Sequence, residues 1–196
     1  GSAIAAAAQL KYVKEVSDAT GQEFTSLAKA YSRYYAAAEG AGQSAENIAA
    51  QFRVVAQAAG TLSLGIEDTE GVFRALEQMF SKGSIQSEEL RGQLGDRLPK
   101  AFQIAADAMK VTTAELQNMM KKGQVAAADF VPKFIEALKQ AYNIDVSKPI
   151  VSLQASLNRA QNSVTSFFFA FAQSTAVIQA TTLVLETFAK TLNYVA

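Results

Sequence analysis

Ser44-Ala-Glu-Asn-Ile-Ala-Ala-Gln-Phe-Arg-Val-Val-Ala-Gln-Ala-Ala-Gly60 is the stretch that decides the fold class. Ile48, Phe52, Val55 and Ala59 recur every three or four residues, which puts them on one face of an α-helix. Gly40 and Gly42 break the chain ahead of it, Ser44 can cap it, and Gly60 is expected to end it.

The same pattern continues on both sides. Upstream, Phe24, Leu27, Ala28, Tyr31, Tyr34 and Tyr35 share a face, and Thr20-Gly-Gln-Glu23 before them has capping-box form. Downstream, Val72, Phe73, Leu76, Met79 and Phe80 point inward on a helix that stops at Gly83. Ser87-Glu-Glu-Leu90 then opens a two-turn helix, its acidic pair suited to a helix N-terminus, and Gly95 closes it. Pro99 is expected early in the next helix, which carries Phe102, Ala105, Ala106 and Met109. Thr112-Thr-Ala-Glu115 forms a second capping box, with Gly123 closing that helix. A last helix runs to about Tyr142 with Phe130, Phe134, Ile135 and Leu138 on its apolar side, and Pro132 must lie in its first turn to be tolerated.

Runs of alternating apolar and polar residues bounded by turn pairs are nearly absent. The expected fold is therefore all-α: short and medium helices joined by Gly/Pro turns, then one long or once-broken C-terminal helix. Gly83, Gly95, Pro99, Gly123 and Pro132 are the structural punctuation. Residues 1–9 read as an added start or a helix lead-in, with Gly1-Ser2 resembling a scar of tag removal. Residues 10–142 read as a helical domain and 147–196 as a long heptad-bearing segment.

An internal repeat spans 40 residues: Met79-Phe-Ser-Lys-Gly-Ser-Ile-Gln-Ser-Glu-Glu-Leu90 aligns with Met119-Met-Lys-Lys-Gly-Gln-Val-Ala-Ala-Ala-Asp-Phe130. Both copies read helix, glycine stop, β-branched anchor (Ile85, Val125), new helix. Duplication and convergence of helical hairpins both explain it.

The C-terminal segment has another logic. From Ser147 onward there is no Gly, and Ser147 with Pro149 has the form of a helix opening. Unbroken, its 50 residues would span roughly 75 Å, against a diameter near 40 Å for a compact chain of this length. Counting by seven from Ile150 and from Leu153 gives fourteen positions, twelve of them apolar where composition predicts about seven. Such a repeat is the signature of supercoiling helices, and it suggests a homo-oligomer through 147–196; a helical hairpin packed on its own domain is the alternative. The longest apolar run, Phe167 to Ala172, falls short of the roughly 18–20 residues of a membrane span, so no constitutive span is expected.

Composition removes most chemistry. Of 196 residues none is Cys or His, which excludes disulfides, Cys nucleophiles, His-based triads and imidazole or thiolate metal sites. Eighteen basic and eighteen acidic residues cancel, so no net field draws nucleic acid or an anionic membrane. Ala supplies about a fifth of the chain and Pro only 3 residues, both favouring helix. No phosphate-cradling loop or calcium-loop spacing occurs. No catalytic, cofactor-binding or metal-ligating residue is assigned, and the chain reads as a non-enzyme. The candidate protein-interaction residues are Glu88, Glu89, Arg91 and Gln93 on a polar surface, and Phe167, Phe168 and Phe171 on an apolar face.

The segment Ala75 to Phe102, above all Glu88-Glu-Leu-Arg-Gly-Gln-Leu-Gly95 with Leu98-Pro99, resembles the N-terminal tape measure domain of tailed-phage tape measure proteins. The likeness continues through Val111-Thr-Thr-Ala-Glu-Leu116, Lys122-Gly-Gln-Val125 and Asp129-Phe-Val-Pro132, and more loosely over residues 10–60. The family pattern tends to have Gly where Lys100 and Lys110 stand, which puts a glycine-type helix stop at Lys110 in question. The resemblance implies a phage or prophage virion protein, made in the host cytoplasm, that lies in the tail lumen and sets tail length. Its implied partners are tail-tube, tail-tip or assembly-chaperone proteins. The alternative is a helical adaptor that binds a tail-tip protein or assembly chaperone.

Overall fold

The expected apolar faces do become helices. The computed structural model describes the backbone of residues 3–173 and the side chains of residues 8–164. In order they form α1 (Ala3–Thr20), α2 (Phe24–Gly40), α3 (Ala45–Thr61), α4 (Ile66–Lys82), a π-helix (Glu88–Leu94), α5 (Ala101–Ala108), α6 (Thr113–Lys121), α7 (Ala127–Ala141) and α8 (Leu153–Gln173). Among the described residues no strand forms beyond an isolated antiparallel bridge, Ser84 to Ala126. The chain divides into two units, 1–159 and 160–196, so α8 begins in the first and ends in the second. Heptad positions beyond Gln173 lie outside the described residues.

An aromatic cluster holds the first unit together. Phe52 of α3 stacks on Phe73 of α4 with centroids 4.5 Å apart, and Tyr31 and Tyr34 of α2 meet these rings edge-on at 4.7 and 6.0 Å. Such contacts add roughly 0.5–1.5 kcal/mol each beyond the area they bury. Tyr34 is fully buried, so its hydroxyl needs a partner, and it donates to Gln51 Oε1 at 2.6 Å. Gln51 Nε2 donates to Gln43 Oε1 at 3.4 Å, and Gln43 Nε2 to the Ala128 carbonyl at 3.1 Å. That carbonyl is the one Pro132, four residues on, cannot reach with an N–H. Pro132 therefore sits in the second turn of α7, not the first, and α2–α3 side chains supply the missing donor.

Several local readings change for physical reasons. Thr20 ends α1, its Oγ1 donating to the Val16 carbonyl at 2.8 Å. Glu23 alone caps α2, accepting from Thr25 and Ser26 N–H at 2.9 and 2.6 Å, because left-handed Gly21 turns the chain between them. Gly60 lies inside α3, which runs on to Thr61; a Cβ there would stand 2.7 Å from the Thr20 carbonyl. Ser87 makes no side-chain cap to the π-helix. Pro99 precedes α5 in a turn, separated from it by the left-handed N-cap residue Lys100. Ser147 and Pro149 lie before α8, because Asp145 Oδ1 captures the Ser147 N–H (3.0 Å) and hydroxyl (2.6 Å) in a local turn. Ser152 is the actual cap, accepting from the Ala155 N–H at 3.0 Å.

The Thr112 capping box forms as expected, with the Glu115 carboxylate reaching back to the Thr112 N–H at 2.8 Å. Lys110 does make a glycine-type stop. Its φ is +57°, Val111 N–H donates to the Ala106 carbonyl at 3.1 Å and Lys110 N–H to the Asp107 carbonyl at 3.0 Å, the Schellman arrangement. Lys100 is likewise left-handed at φ +62°.

These two lysines hold a conformation that costs an L side chain roughly 1–2 kcal/mol, partly offset on substitution by glycine's greater freedom in the unfolded chain. Lys100→Gly and Lys110→Gly are each expected to raise stability by about 0.5–1 kcal/mol, read as a higher urea midpoint by circular dichroism. An unchanged or lower midpoint for both would show that the left-handed backbone carries no strain.

Candidate interaction surfaces

The two glycine turns of the repeat face each other. Gly83 and Gly123 are both left-handed, at φ +74° and +64°. The segments that follow pair antiparallel: Ile85 N–H donates to the Val125 carbonyl and Ala127 N–H to the Gly83 carbonyl, both at 3.0 Å. Repeat-equivalent Ile85 and Val125 thus stand opposite each other, both fully buried. The copies then diverge. Where the second continues into α7, the first forms the π-helix, and its Gly92 corresponds to Pro132.

That π-helix carries the four polar candidates, and it uses three of them internally. Glu89, expected on the surface, is fully buried and pairs with Lys82 at the end of α4. The extra residue of the wide turn swings it inward, leaving Glu88 exposed. The hydrogen bond to Glu89 lifts the Lys82 ammonium above its ordinary pKa. Arg91 lies over the Phe102 ring, 3.8 Å from its centroid, and donates to Gln117 Oε1 at 3.1 Å. Gln93 is half-buried; its Nε2 donates to Gln78 Oε1 at 2.9 Å and its carbonyl accepts from Arg97 at 2.8 Å. Gly95 follows where a Cβ would stand 2.1 Å from the Arg91 carbonyl, and the Pro99 carbonyl accepts from Tyr142 at 2.7 Å. Beside Glu88 an open cleft of about 580 Å³ is lined by Lys82, Ser84, Ser87 and Lys121.

The start of α8 is the second surface. Leu153 and Leu157, both on the heptad stripe, are 79% and 53% exposed. The side turned to the bundle carries Ala155 and Asn158 instead, so these two leucines are not buried against the bundle. The side chains of Phe167, Phe168 and Phe171 lie outside those described. Arg159 was missed as a contact residue. Its signal was its isolation, since no other charge occurs between Lys148 and Glu186.

Among the described residues no group of three Asp or Glu could hold a metal ion, and no helix is long and apolar enough to cross a membrane.

A family model described as tape measure protein matches residues 1–173. The chain is also 37% identical over 143 residues to a curated protein of Salmonella phage Felix O1 (isolate Felix O1-VT1), described as "Probable tape measure protein". That alignment covers 72% of this chain and 19% of the phage protein, so the chain spans about a fifth of that relative's length. No solved structure matches it.

The buried Glu89 carboxylate makes Lys82 matter beyond its own half-exposed position. Lys82→Met is expected to destabilise the domain by leaving the buried Glu89 carboxylate unpaired, though by less than the loss of a fully buried pair because water reaches the lysine. Lys82→Met with Glu89→Leu should recover most of that loss, and denaturant titration of the three proteins checks it. A double variant weaker than Lys82→Met would mean that the unpaired Glu89 carboxylate is not what destabilises the single variant.

Proposed function

The chain belongs to the tape measure protein family, and from that premise we propose that it is the helical domain of a phage or prophage tail protein that occupies the tail lumen and sets tail length. The observation that carries the reading is the family match over residues 1–173 of 196, joined to a helical bundle feeding a heptad-bearing segment. In this reading the domain does no catalysis. It resides in the virion after assembly in the host cytoplasm, and its contacts are with tail-tube, tail-tip or chaperone proteins and with copies of itself through 147–196. The residues offered for those contacts are exposed Glu88, the outward Leu153 and Leu157, and Phe167, Phe168 and Phe171. The adaptor alternative is not favoured by the comparisons.

A ruler made of helix has a fixed scale, about 1.5 Å per residue. In-frame removal of 100 helical residues from the full-length protein is expected to shorten tails by roughly 150 Å in micrographs of virions. Tails of unchanged length would refute the ruler. Self-association has its own measurement, light scattering of this chain beside a Leu153→Asp, Leu157→Asp variant. A larger mass for the parent alone is expected, and monomers in both would remove the oligomer from the reading.

A further inference from the structure

The segment from Asp145 to Arg159 is held on the bundle in an unusual way. An amphipathic helix docks by burying its apolar stripe, but here Val151, Leu153 and Leu157 point to solvent at 88%, 79% and 53% exposure. The hydrophobic core reaches Ile144 and takes in Val146 at its edge; beyond these, Ala155 lies against Gly21 and Ile150 beside Gly60. Polar contacts do the rest, most of them at the carbonyls of the α1 C-terminus and the Gly21 turn after it. Ile150 N–H donates to the Ala19 carbonyl at 2.8 Å. Asn158 Nδ2 donates to the Gly21 carbonyl at 2.7 Å. Arg159 donates to the carbonyls of Asp18 at 2.6 Å, Ala19 at 3.3 Å and its own strap's Ile150 at 2.6 Å. On the α3 side, buried Gln57 donates to the carbonyls of Asp145 (3.3 Å) and Lys148 (2.8 Å).

We propose that residues 145–159 form a latch: a strap clasped by the Ile150, Asn158 and Arg159 donors on the α1 C-terminal carbonyls, which opens as a unit while the bundle of α1–α7 stays folded. The energetics favour local opening. Water can replace each hydrogen bond that the opening breaks, whereas little apolar surface is newly exposed. The carbonyls released on α1 lie at a helix end, where solvation is an ordinary alternative to capping. The core, by contrast, is sealed by apolar packing among α1–α7, from which opening removes only Val146 and Ile150 at the edge. The consequence is that the strap has a closed and an open state, set by groups that have no part in the core.

The test is native-state hydrogen exchange on the whole chain at rising, sub-denaturing urea. The amides of Ile150 and Ala155 are expected to exchange at least about tenfold faster than buried amides of α4 and α7, with a weaker dependence on urea. Arg159→Ala should speed Ile150 exchange by about another tenfold and leave α4 and α7 unchanged. Ala155→Arg, which cannot fit against Gly21, should do the same without removing a hydrogen bond. Ile150 sharing one rate and one urea dependence with α4 and α7 in the unsubstituted chain would overturn the latch. So would either variant accelerating strap and core by the same factor. The first measurement requires no variant, so a misfolded variant does not rescue the idea.

Discussion

Each helix end in this bundle leaves backbone groups that no intrahelical partner reaches, and short helices multiply the ends. The structure is arranged around meeting that demand. Thr112 with Glu115, Ser44, Glu23 and Ser152 cap helix starts from close by in sequence. The remaining demands are met from far away. Pro132 frees a carbonyl in α7, and Gln43, 85 residues earlier than Ala128, answers it through a chain that ends on the buried Tyr34 hydroxyl. The carbonyls at the end of α1 are answered by Asn158 and Arg159, about 140 residues later. Core and turns are therefore coupled: the aromatic cluster positions Tyr34, and Tyr34 fixes the amide that reaches α7.

The two hairpins of the repeat show how one pattern takes two forms. Both use a left-handed glycine followed by a buried β-branched residue, and these residues pair with one another across the isolated bridge. After that junction the contexts differ. Lys82 is near enough to accept a buried partner, and the wide turn of the π-helix brings Glu89 to it. In the second copy, Asp129 stays exposed and pairs with Lys133 one turn along the same helix, at 2.8 Å. Identical spacing thus gives an interior ion pair in one copy and a surface pair in the other, because the pairing of the first is a tertiary event.

For a tape measure protein the division of labour is physically coherent. The bundle carries no His or Cys, and its polar groups are spent on capping, relays and one interior ion pair. What it offers outward is geometric. The docked side of the first turns of α8 carries Ala155 and Asn158, so Leu153 and Leu157 remain exposed.

What the sequence determined by itself is whatever depends on neighbours within about four residues. The 3.6-residue period of Ile48, Phe52, Val55 and Ala59, the Thr112 box, and the stops at Gly83 and Gly123 were legible because the forces that make them act along one helix. The family resemblance was legible because it rests on the order of residues, above all Glu88 to Gly95 with Leu98-Pro99, and needs no knowledge of what they touch. Tertiary structure alone decided the rest. Glu89 looked like a solvated cap until Lys82 and the π-turn enclosed it, and the carbonyl that Pro132 leaves in the second turn of α7 meets Gln43, which no local pattern foretells. Arg159 stands out along the chain only as the lone charge of its stretch, which does not say what it meets. Its role follows from a helix end brought to it by folding, and no pattern of spacing along the chain encodes that meeting.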